Sequence, residues 1–376
     1  MSQALAAPAL RGAWLGWRDR LLASPRFQRW ASAFFLTRPL ARRRASELFD
    51  LCAGFVYSQV LLACVRLDLL QALASGPRSV IDLAAATDLP EASMDRLLRA
   101  ATALGLASRR GPDYALGERG AALLGNPGVL AMVRHHALFY ADLADPVALL
   151  RGEMGETALN RFWGYAGHER PAALADARVA EYSGLMAASQ DFIADDVLDA
   201  YPFHRHRRLL DVGGGEGAFL EKAGQRCPQL ELRLFDLPAV AERARARLAR
   251  AGLSRRAEVA GGDFFRDTLP QGADLVSLVR IIHDHGDDQA LAILTAARRA
   301  LEPDGTLVLA EPVADERGNG PMADAYFGFY LMAMGSGRPR SRAALAELIT
   351  RAGFSGIRRH TTHRPLLVSV LSASAI

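Results

Sequence analysis

The fold of this chain is decided by the stretch Leu209-Leu210-Asp211-Val212-Gly213-Gly214-Gly215-Glu216-Gly217-Ala218-Phe219. It reads as an apolar strand that ends in an acid, followed by a glycine-rich turn and the start of a helix. Glycines let the backbone turn tightly and approach a ligand where a Cβ atom would collide. Asp236 ends the next apolar segment, where a carboxylate can accept hydrogen bonds from both hydroxyls of a ribose. The pattern predicts a nucleotide site.

Around this stretch, residues 201–376 alternate between short apolar segments and helical patterns. The segments that we interpret as strands are Leu209–Val212, Leu230–Phe235, Ala257–Ala260, Leu275–Val279, Thr306–Ala310 and Leu366–Leu371. Strands that alternate with helices are typical of α/β proteins with a doubly wound, mostly parallel sheet. We therefore expect residues 201–376 to form a Rossmann-like catalytic domain.

Two cofactor classes fit the glycine-rich turn, since Gly213-x-Gly215-x-x-Ala218 also matches the nicotinamide fingerprint. Asp211 argues against that class, because a carboxylate there repels a pyrophosphate but suits the ammonium group of a methionine. A third motif, Gly262-Asp263-Phe264-Phe265, offers an acid and aromatic rings to an adenine. We therefore expect S-adenosyl-L-methionine as the cofactor. The candidate cofactor-binding residues are Asp211, Gly213, Gly215, Gly217, Asp236, Asp263 and Phe264.

A histidine follows the fourth predicted strand, in Arg280-Ile281-Ile282-His283-Asp284-His285. Ligands of doubly wound sheets lie beyond the carboxyl ends of the strands, so His283 should lie beside the cofactor. A neutral histidine can accept the proton of a hydroxyl group near pH 7. A carboxylate on its other ring nitrogen would fix the tautomer, and either Glu311 or Asp284 could provide it. We predict His283, Glu311 and Asp284 as the catalytic residues.

The first 200 residues are mostly helical in pattern and divide into three predicted parts. Residues 1–44 carry nine arginines, one acid and interleaved aromatic residues, as in helices that lie on a membrane surface or pack on a partner. Residues 45–130 predict a winged-helix domain for dimerisation, with a helix over Glu91–Leu104 and a two-stranded wing over Leu106–Leu116. Residues 131–200 predict a helical linker that lines the substrate site.

Composition and spacing argue against several classes of protein. The chain has no run of 18 uncharged apolar residues, which argues against a transmembrane helix. Its three distant cysteines lack metal-ligand spacing, which predicts reduced thiols, no metal site and a cytoplasmic location. The net charge of +4 is weak evidence for a nucleic-acid partner. A DNA-binding regulator would also have no use for His283 or Asp236, so we expect no nucleic acid.

The ordered motifs resemble those of the plant-type small-molecule O-methyltransferases and their bacterial relatives, over roughly residues 45–371. The resemblance implies a homodimer built through the winged helix, which in that family does not bind DNA. It implies His283 as the general base, with Glu311 orienting it, and it adds Leu237 and Arg280 to the cofactor site. The motifs that carry it are the Asp211–Gly217 stretch, Phe235-Asp236-Leu237-Pro238, Gly262-Asp263-Phe264-Phe265, Arg280-x-x-His283-Asp284 and Leu309-Ala310-Glu311-Pro312.

Two positions depart from that family's pattern. His285 stands where family members usually carry a tryptophan after the His-Asp pair. Pro339 stands where plant members place a second glutamate that orients the histidine. A base with one carboxylate partner fewer is expected to be weaker.

Residues 35–44 and 48–60 are similar to the O-methyltransferases of purple bacteria that act on acyclic carotenoids. That similarity implies a hydrophobic small-molecule substrate, methylated at the tertiary 1-hydroxyl of an acyclic carotenoid. It also implies peripheral contact with the inner or photosynthetic membrane. The alternatives are a bacteriochlorophyll precursor, a polyketide or phenolic acceptor, and a catalytically silent protein that binds the cofactor. The candidate substrate-pocket residues are Met186, Phe327, Tyr330 and Met334.

Overall fold

The structure of the chain, a computed structural model, describes residues 6–163, 190, 193–314, 322–365 and 367–376. The chain divides into two compact units, Met1–Ala121 and Ala122–Ile376. The nucleotide motif, the candidate base and its candidate carboxylates all fall within the second unit.

The first unit is helical, with one small hairpin. Ser79 caps the start of the fifth helix, because its side chain accepts a hydrogen bond from the Asp82 amide at 3.1 Å. The predicted wing is confirmed as an antiparallel pair. The elements are α1 (Ala6–Ala23), α2 (Pro25–Ala33), α3 (Arg38–Arg66), α4 (Leu69–Ala74), α5 (Val80–Thr87), α6 (Glu91–Ala103), β1 (Ala107–Arg110), β2 (Asp113–Leu116) and α7 (Glu118–Leu124), which crosses the boundary between the units.

Helix α3 corrects the sequence argument about membrane spans. It is 29 residues long and carries an 18-residue window with a mean hydropathy of 1.8, of which 17% is buried. By length and composition alone, this helix could cross a membrane. The criterion of an unbroken apolar run was too strict, because polar and small residues interrupt the run without lowering its average enough.

The second unit contains a seven-stranded sheet flanked by helices. Its first helices are α8 (Pro127–Asp142), α9 (Pro146–Leu150) and α10 (Ala158–Phe162), and residues 193–200 are also helical. The alternating part is β3 (Arg208–Val212), α11 (Ala218–Arg226), β4 (Glu231–Asp236), α12 (Pro238–Arg250), β5 (Ala257–Gly261), β6 (Ala273–Val279), α13 (Asp287–Ala300) and β7 (Leu301–Glu311). A π-helical stretch (Met322–Phe327), α14 (Gly328–Met334), α15 (Arg342–Arg351), β8 (Phe354–His360) and β9 (Ser369–Ala375) complete the unit.

The strand order of the large sheet is β5-β4-β3-β6-β7-β9-β8. The five strands from β5 to β7 are parallel. Strand β9 pairs antiparallel with β7, and β8 pairs antiparallel with β9, so β9 alone runs against the other strands of this sheet. The predicted doubly wound, mostly parallel α/β fold is therefore confirmed. The last strand begins at Ser369 rather than at residue 366, and β8 was not predicted. Its two arginines, Arg358 and Arg359, obscure the apolar pattern because β8 is an edge strand with exposed positions.

Both faces of the sheet are buried. Leu210 and Val276 pack into one apolar cluster, whereas their chain neighbours Leu209 and Leu275 pack into the other. Alternate residues of a strand point to opposite faces, so helices must cover both. This arrangement leaves the carboxyl ends of β3, β4 and β6 as the edge where polar side chains can reach a ligand.

Candidate active site

The glycine-rich turn lies where the strand order reverses, between β4 and β6 on either side of β3. Gly213 and Gly215 have φ of +69° and +58°, a region that favours glycine. A Cβ atom on Gly214 would lie 2.5 Å from the Asp211 carboxylate, whereas one on Gly215 would meet nothing within 4 Å. Gly217 packs toward Leu234 and helix α12 instead, so it belongs behind the cavity wall.

A cavity opens beyond this turn, and it contains most of the predicted cofactor residues. Asp211 and Gly217 are not among the residues that line it. The lining residues are Trp163, Gln190, Gly213, Gly214, Gly215, Glu216, Ala218, Asp236, Leu237, Val240, Gly262, Asp263, Phe264, Phe265, Val279, Arg280, Ile281, Asp284 and His285.

Asp211 is a buried carboxylate with one unused oxygen. Its Oδ1 accepts a hydrogen bond from the Ser277 hydroxyl at 2.6 Å, and its Oδ2 has no partner among the described residues. Burial raises the pKa of Asp211 to about 7; Asp236 adds to the rise and Ser277 opposes it. A buried carboxylate in this state is stabilised by a ligand that brings a cation or a hydrogen-bond donor. Gln190 Oε1 is likewise buried without a partner among the described residues.

Asp236 is oriented by the backbone around it. Its Oδ2 accepts from the Gly215 amide at 2.8 Å, and its Oδ1 accepts from the Leu237 amide at 2.7 Å. Each carboxylate oxygen keeps a second lone pair for a ligand. Burial raises the pKa of Asp236 to about 6, and the two amides oppose that rise. Two fixed acceptors at the end of β4 suit the two hydroxyls of a ribose.

The third motif forms an aromatic wall at one end of the cavity. Phe264 and Phe265 both contact the His285 ring edge-to-face, with centroids 5.6 and 5.4 Å away. Burial lowers the pKa of His285, so a neutral imidazole occupies the position where the family usually has tryptophan. Asp263 is buried and accepts from the Phe265 amide at 2.9 Å.

Arg280 lies at the junction of the cofactor cavity and the catalytic residues. It has a φ of +60°, which is uncommon for a residue with a side chain. Its amide donates to the Ala310 carbonyl at 2.8 Å, which extends the β6–β7 pairing by one residue. That bond stabilises the strained conformation just before the histidine segment.

Glu311 contacts the candidate base, His283. Its Oε2 lies 2.6 Å from His283 Nδ1, and its Oε1 accepts from the amides of Ile281 and Ile282 at 2.9 and 2.6 Å. A carboxylate only accepts hydrogen bonds, so Nδ1 carries a proton. Both residues are buried. The neutral form of His283 therefore keeps its lone pair on Nε2.

Asp284 supplies a second carboxylate. Its Oδ1 lies 3.1 Å from His283 Nε2. Burial, the largest single influence, lowers the pKa of His283, but Asp284 and Glu311 together outweigh it and raise that pKa above 6.5. Asp284 is therefore a second carboxylate contact of the candidate base in this chain.

The candidate substrate residues lie on or beside α14. The Phe327 ring is 6.4 Å from the His283 ring, so it faces the catalytic end of the site. The Tyr330 hydroxyl lies 2.7 Å from His135 Nε2 and accepts from Trp163 Nε1, also at 2.7 Å. Met334 is 1% exposed, within an apolar cluster. Met186 lies outside the described residues.

Several residues of this region were not predicted. Trp163 and Gln190 line the cavity, and His136 Nε2 lies 2.7 Å from the Tyr326 hydroxyl. Burial lowers the pKa of His136, which keeps that ring neutral. The pair His135-His136 inside an apolar helix was the available signal, but its tyrosine partners are 190 or more residues away in the sequence.

Comparisons with known proteins agree with this geometry. A family model described as the O-methyltransferase domain matches residues 140–355, and one described as the O-methyltransferase dimerisation domain matches residues 49–126. The chain is 46% identical over 356 residues to demethylspheroidene O-methyltransferase of Cereibacter sphaeroides, covering 94% of this chain and 93% of the relative. It is 42% identical to the Rhodobacter capsulatus protein of the same name, covering 90% and 84%. Among solved structures, mitomycin 7-O-methyltransferase MmcR is 26% identical with a TM-score of 0.72, covering 90% of this chain and 100% of that one.

Proposed function

The chain belongs to the family of S-adenosylmethionine-dependent O-methyltransferases, and from that premise we propose that it methylates the tertiary 1-hydroxyl of an acyclic carotenoid in the spheroidene pathway. The substrate assignment is carried by the 46% identity, across nearly the full length of both chains, to a demethylspheroidene O-methyltransferase. The reaction type is supported by the His283–Glu311 pair beside the cofactor cavity.

The cavity residues fit S-adenosylmethionine. Asp211 does not itself line the cavity, but its Oδ2, which has no partner among the described residues, would pair with the ammonium group, and Asp236 would accept from the ribose hydroxyls. Asp263 and the Phe264 ring would contact the adenine. When bound, the cofactor supplies an electrophilic methyl group on a sulfonium centre. A nicotinamide dinucleotide fits less well, because its pyrophosphate would lie near two carboxylates, Asp211 and Asp236.

The proton of the acceptor hydroxyl goes to His283 Nε2. Loss of that proton would leave the acceptor oxygen able to attack the methyl group that the bound cofactor would supply. Glu311 stabilises the resulting imidazolium through Nδ1, and Asp284 lies beside Nε2. An alkyl alcohol holds its proton more tightly than a phenol does. A histidine with two carboxylate neighbours is a stronger base, which suits an alcohol substrate.

The N-terminal surface, residues 14–44, supports peripheral contact of a cytoplasmic enzyme with the inner or photosynthetic membrane. Trp14 and Trp17 are each 56% exposed and Trp30 is 52% exposed. The arginines of this segment give it a positive charge suited to anionic lipid. The homodimer implied by the dimerisation domain would use residues 49–126, which leaves the N-terminal surface outside that match. We propose that the enzyme takes its long hydrocarbon substrate from the bilayer.

The test is a methyl-transfer assay with labelled S-adenosylmethionine, using 1-hydroxyneurosporene in liposomes and a phenolic acceptor in parallel. Labelled methoxycarotenoid from the native enzyme, and none from the His283→Ala variant, would support the proposal. Transfer to the phenol alone would overturn the carotenoid assignment. Binding of the cofactor with no transfer to any acceptor would identify a catalytically silent member of the family.

A further inference from the structure

A segment with no assigned role, residues 336–340, wraps around the turn that carries the base. We call residues 281–285 the catalytic turn and residues 336–340 the clamp. Arg340 Nη1 donates to the Ile282 carbonyl and Arg340 Nη2 donates to the His285 carbonyl, each at 2.7 Å. One guanidinium group thus bonds both ends of the segment that contains His283. The fork of arginine suits this task because its donors are held in one plane.

The two carbonyls between these are also bonded to the clamp. The Arg338 amide donates to the His283 carbonyl at 2.9 Å, and the Ser336 hydroxyl donates to the Asp284 carbonyl at 2.7 Å. Four consecutive carbonyls of the catalytic turn therefore accept hydrogen bonds from one five-residue segment. Such complete pairing fixes the path of the backbone and, with it, the direction of the histidine side chain.

Gly337 shows how closely the two segments approach. A Cβ atom on Gly337 would lie 2.2 Å from the His283 carbonyl oxygen, and its φ is +84°. No side chain fits there without moving the catalytic turn. The close contact between the clamp and the catalytic turn therefore requires glycine at position 337.

Arg340 is itself held from two sides. It is 3% exposed, and its charge is balanced by Asp287, whose Oδ1 accepts from Nη2 at 2.8 Å and from Nε at 3.0 Å. Its carbonyl accepts from the Ala314 amide at 3.0 Å, three residues after Glu311. The backbone of Arg340 is thus joined to the chain that follows the Glu311 strand, and its side chain is joined to the turn of His283. It connects the two elements that form the catalytic pair.

In the chain, the clamp comes directly after α14, the helix that carries candidate substrate residues. Helix α14 ends at Met334, and Gly335 turns the chain with a φ of +91° into Ser336. The π-helical stretch that precedes α14 ends at Phe327, which faces His283. The helix that carries candidate substrate residues and the clamp are thus consecutive in the chain, and the clamp bonds the turn that carries the base.

We propose that Arg340 is a positioning residue, which holds the catalytic turn so that His283 points its two ring nitrogens at Glu311 and Asp284. This inference rests on the proposed role of His283 as the base.

The test compares Arg340→Lys with a matched control, Arg256→Lys. Arg256 also donates to several carbonyls, those of Cys227, Leu230 and Gly224, but it precedes β5 at the opposite edge of the sheet. Lysine keeps the charge at each position and removes the planar fork. We expect Arg340→Lys to lower kcat at least about tenfold, with the KM for the acceptor and the Kd for S-adenosylmethionine within about twofold of native. Arg256→Lys should lower the Tm and leave kcat unchanged.

The second readout needs no acceptor. A ¹⁵N NMR titration of the full-length protein follows His283 directly, and we expect its titration midpoint to fall in Arg340→Lys, because the alignment with two carboxylates is lost while the charge at position 340 is kept. Ser336→Ala, which removes one hydrogen bond and is milder for folding, should shift the midpoint in the same direction by less. An unchanged midpoint and kcat in a folded Arg340→Lys protein would overturn the proposal. If the native enzyme methylates no carotenoid, the titration still decides the role of Arg340.

Discussion

The catalytic turn and the N-terminal surface differ in burial. The turn is largely buried and bonded within the chain, whereas the side chains of the surface are mostly exposed. The side chain of His283 is 7% exposed and lies between two carboxylates, and each carbonyl from Ile282 to His285 accepts a hydrogen bond from the clamp. In the N-terminal surface, Ala31 is the only buried residue among those described from 14 to 44. The geometry of the turn is therefore determined within the chain. The large apolar side chains of the surface can be covered only by something outside the described residues.

The largest expected effect comes from removing the base. We expect His283→Ala to lower kcat by ~10²-fold or more, the usual size of a general-base contribution, with the Kd for S-adenosylmethionine within about twofold of native. The cofactor affinity should hold because His283 does not line the cavity. His360→Ala is the control, because it removes a histidine of β8 that is bonded to Ser372 of β9. An unchanged kcat in the first variant would remove His283 from the mechanism.

The second-largest effect is expected at Asp236, which lines the cofactor cavity. Asp236→Ala should weaken S-adenosylmethionine binding by about 10- to 100-fold, since two hydrogen bonds to a charged group are lost. Asp274→Ala is the matched control, because Asp274 also accepts from two backbone amides, those of Arg207 and Arg208, at the other end of β3. Calorimetric titration measures both. Equal affinities in the two variants would mean that the ribose is held elsewhere.

We expect pH to change the affinity of the cofactor site about tenfold, through the ionisation of Asp211. Its pKa is raised to about 7 in the structure, and the ammonium group of the ligand needs the ionised form. Affinity should therefore be complete above pH 7 and fall as the pH drops through that value, by about tenfold between pH 8 and pH 6. S-adenosylhomocysteine is a suitable probe, because its ammonium group stays charged across this range. Asp211→Asn should bind more weakly and without this pH dependence; a retained dependence would assign the titration to another group.

The parts of the site that the sequence predicted depend on neighbouring residues or on strand order. Asp211 lies two residues before the glycines that shape its surroundings, and Asp236 ends the next strand. Glu311 could be paired with His283 because β6 and β7 were expected to end at the same edge of a parallel sheet. Such relations follow from periodicity and topology, which a single sequence contains.

The unpredicted parts depend on contacts between distant residues with no periodic signal. Arg340 reaches the carbonyls of Ile282 and His285 across more than 50 residues, and nothing in a Gly-Arg-Pro-Arg segment indicates which carbonyls it will bond. The contact of Asp284 with Nε2 depends on the tight turn that the clamp fixes. Adjacency in the sequence made Asp284 a candidate, but only the structure gives it a position opposite Glu311.

The smallest effect is expected at the N-terminal surface. If the N-terminal surface contacts anionic lipid, Arg29→Gln should weaken binding to phosphatidylglycerol-containing vesicles about fivefold, because a basic side chain near such a surface contributes about 1 kcal/mol. Arg351→Gln, an exposed arginine of the second unit, is the control and should change nothing. Raising the salt concentration should weaken binding of the native protein as well.

The alternative to a membrane is that a second copy of the chain packs on the N-terminal surface. A two-fold contact through this surface would bring the same arginines of two subunits together, which like-charge repulsion opposes. Lipid headgroups carry the opposite charge, so the arginines favour the membrane while the exposed tryptophans add apolar contact at the interface. Arg29→Gln distinguishes the membrane from a second copy of the chain. Loss of the positive charge weakens attraction to lipid but relieves repulsion between subunits. Vesicle binding that stays equal in Arg29→Gln and native protein, together with a tighter dimer in sedimentation, would assign the surface to the partner subunit.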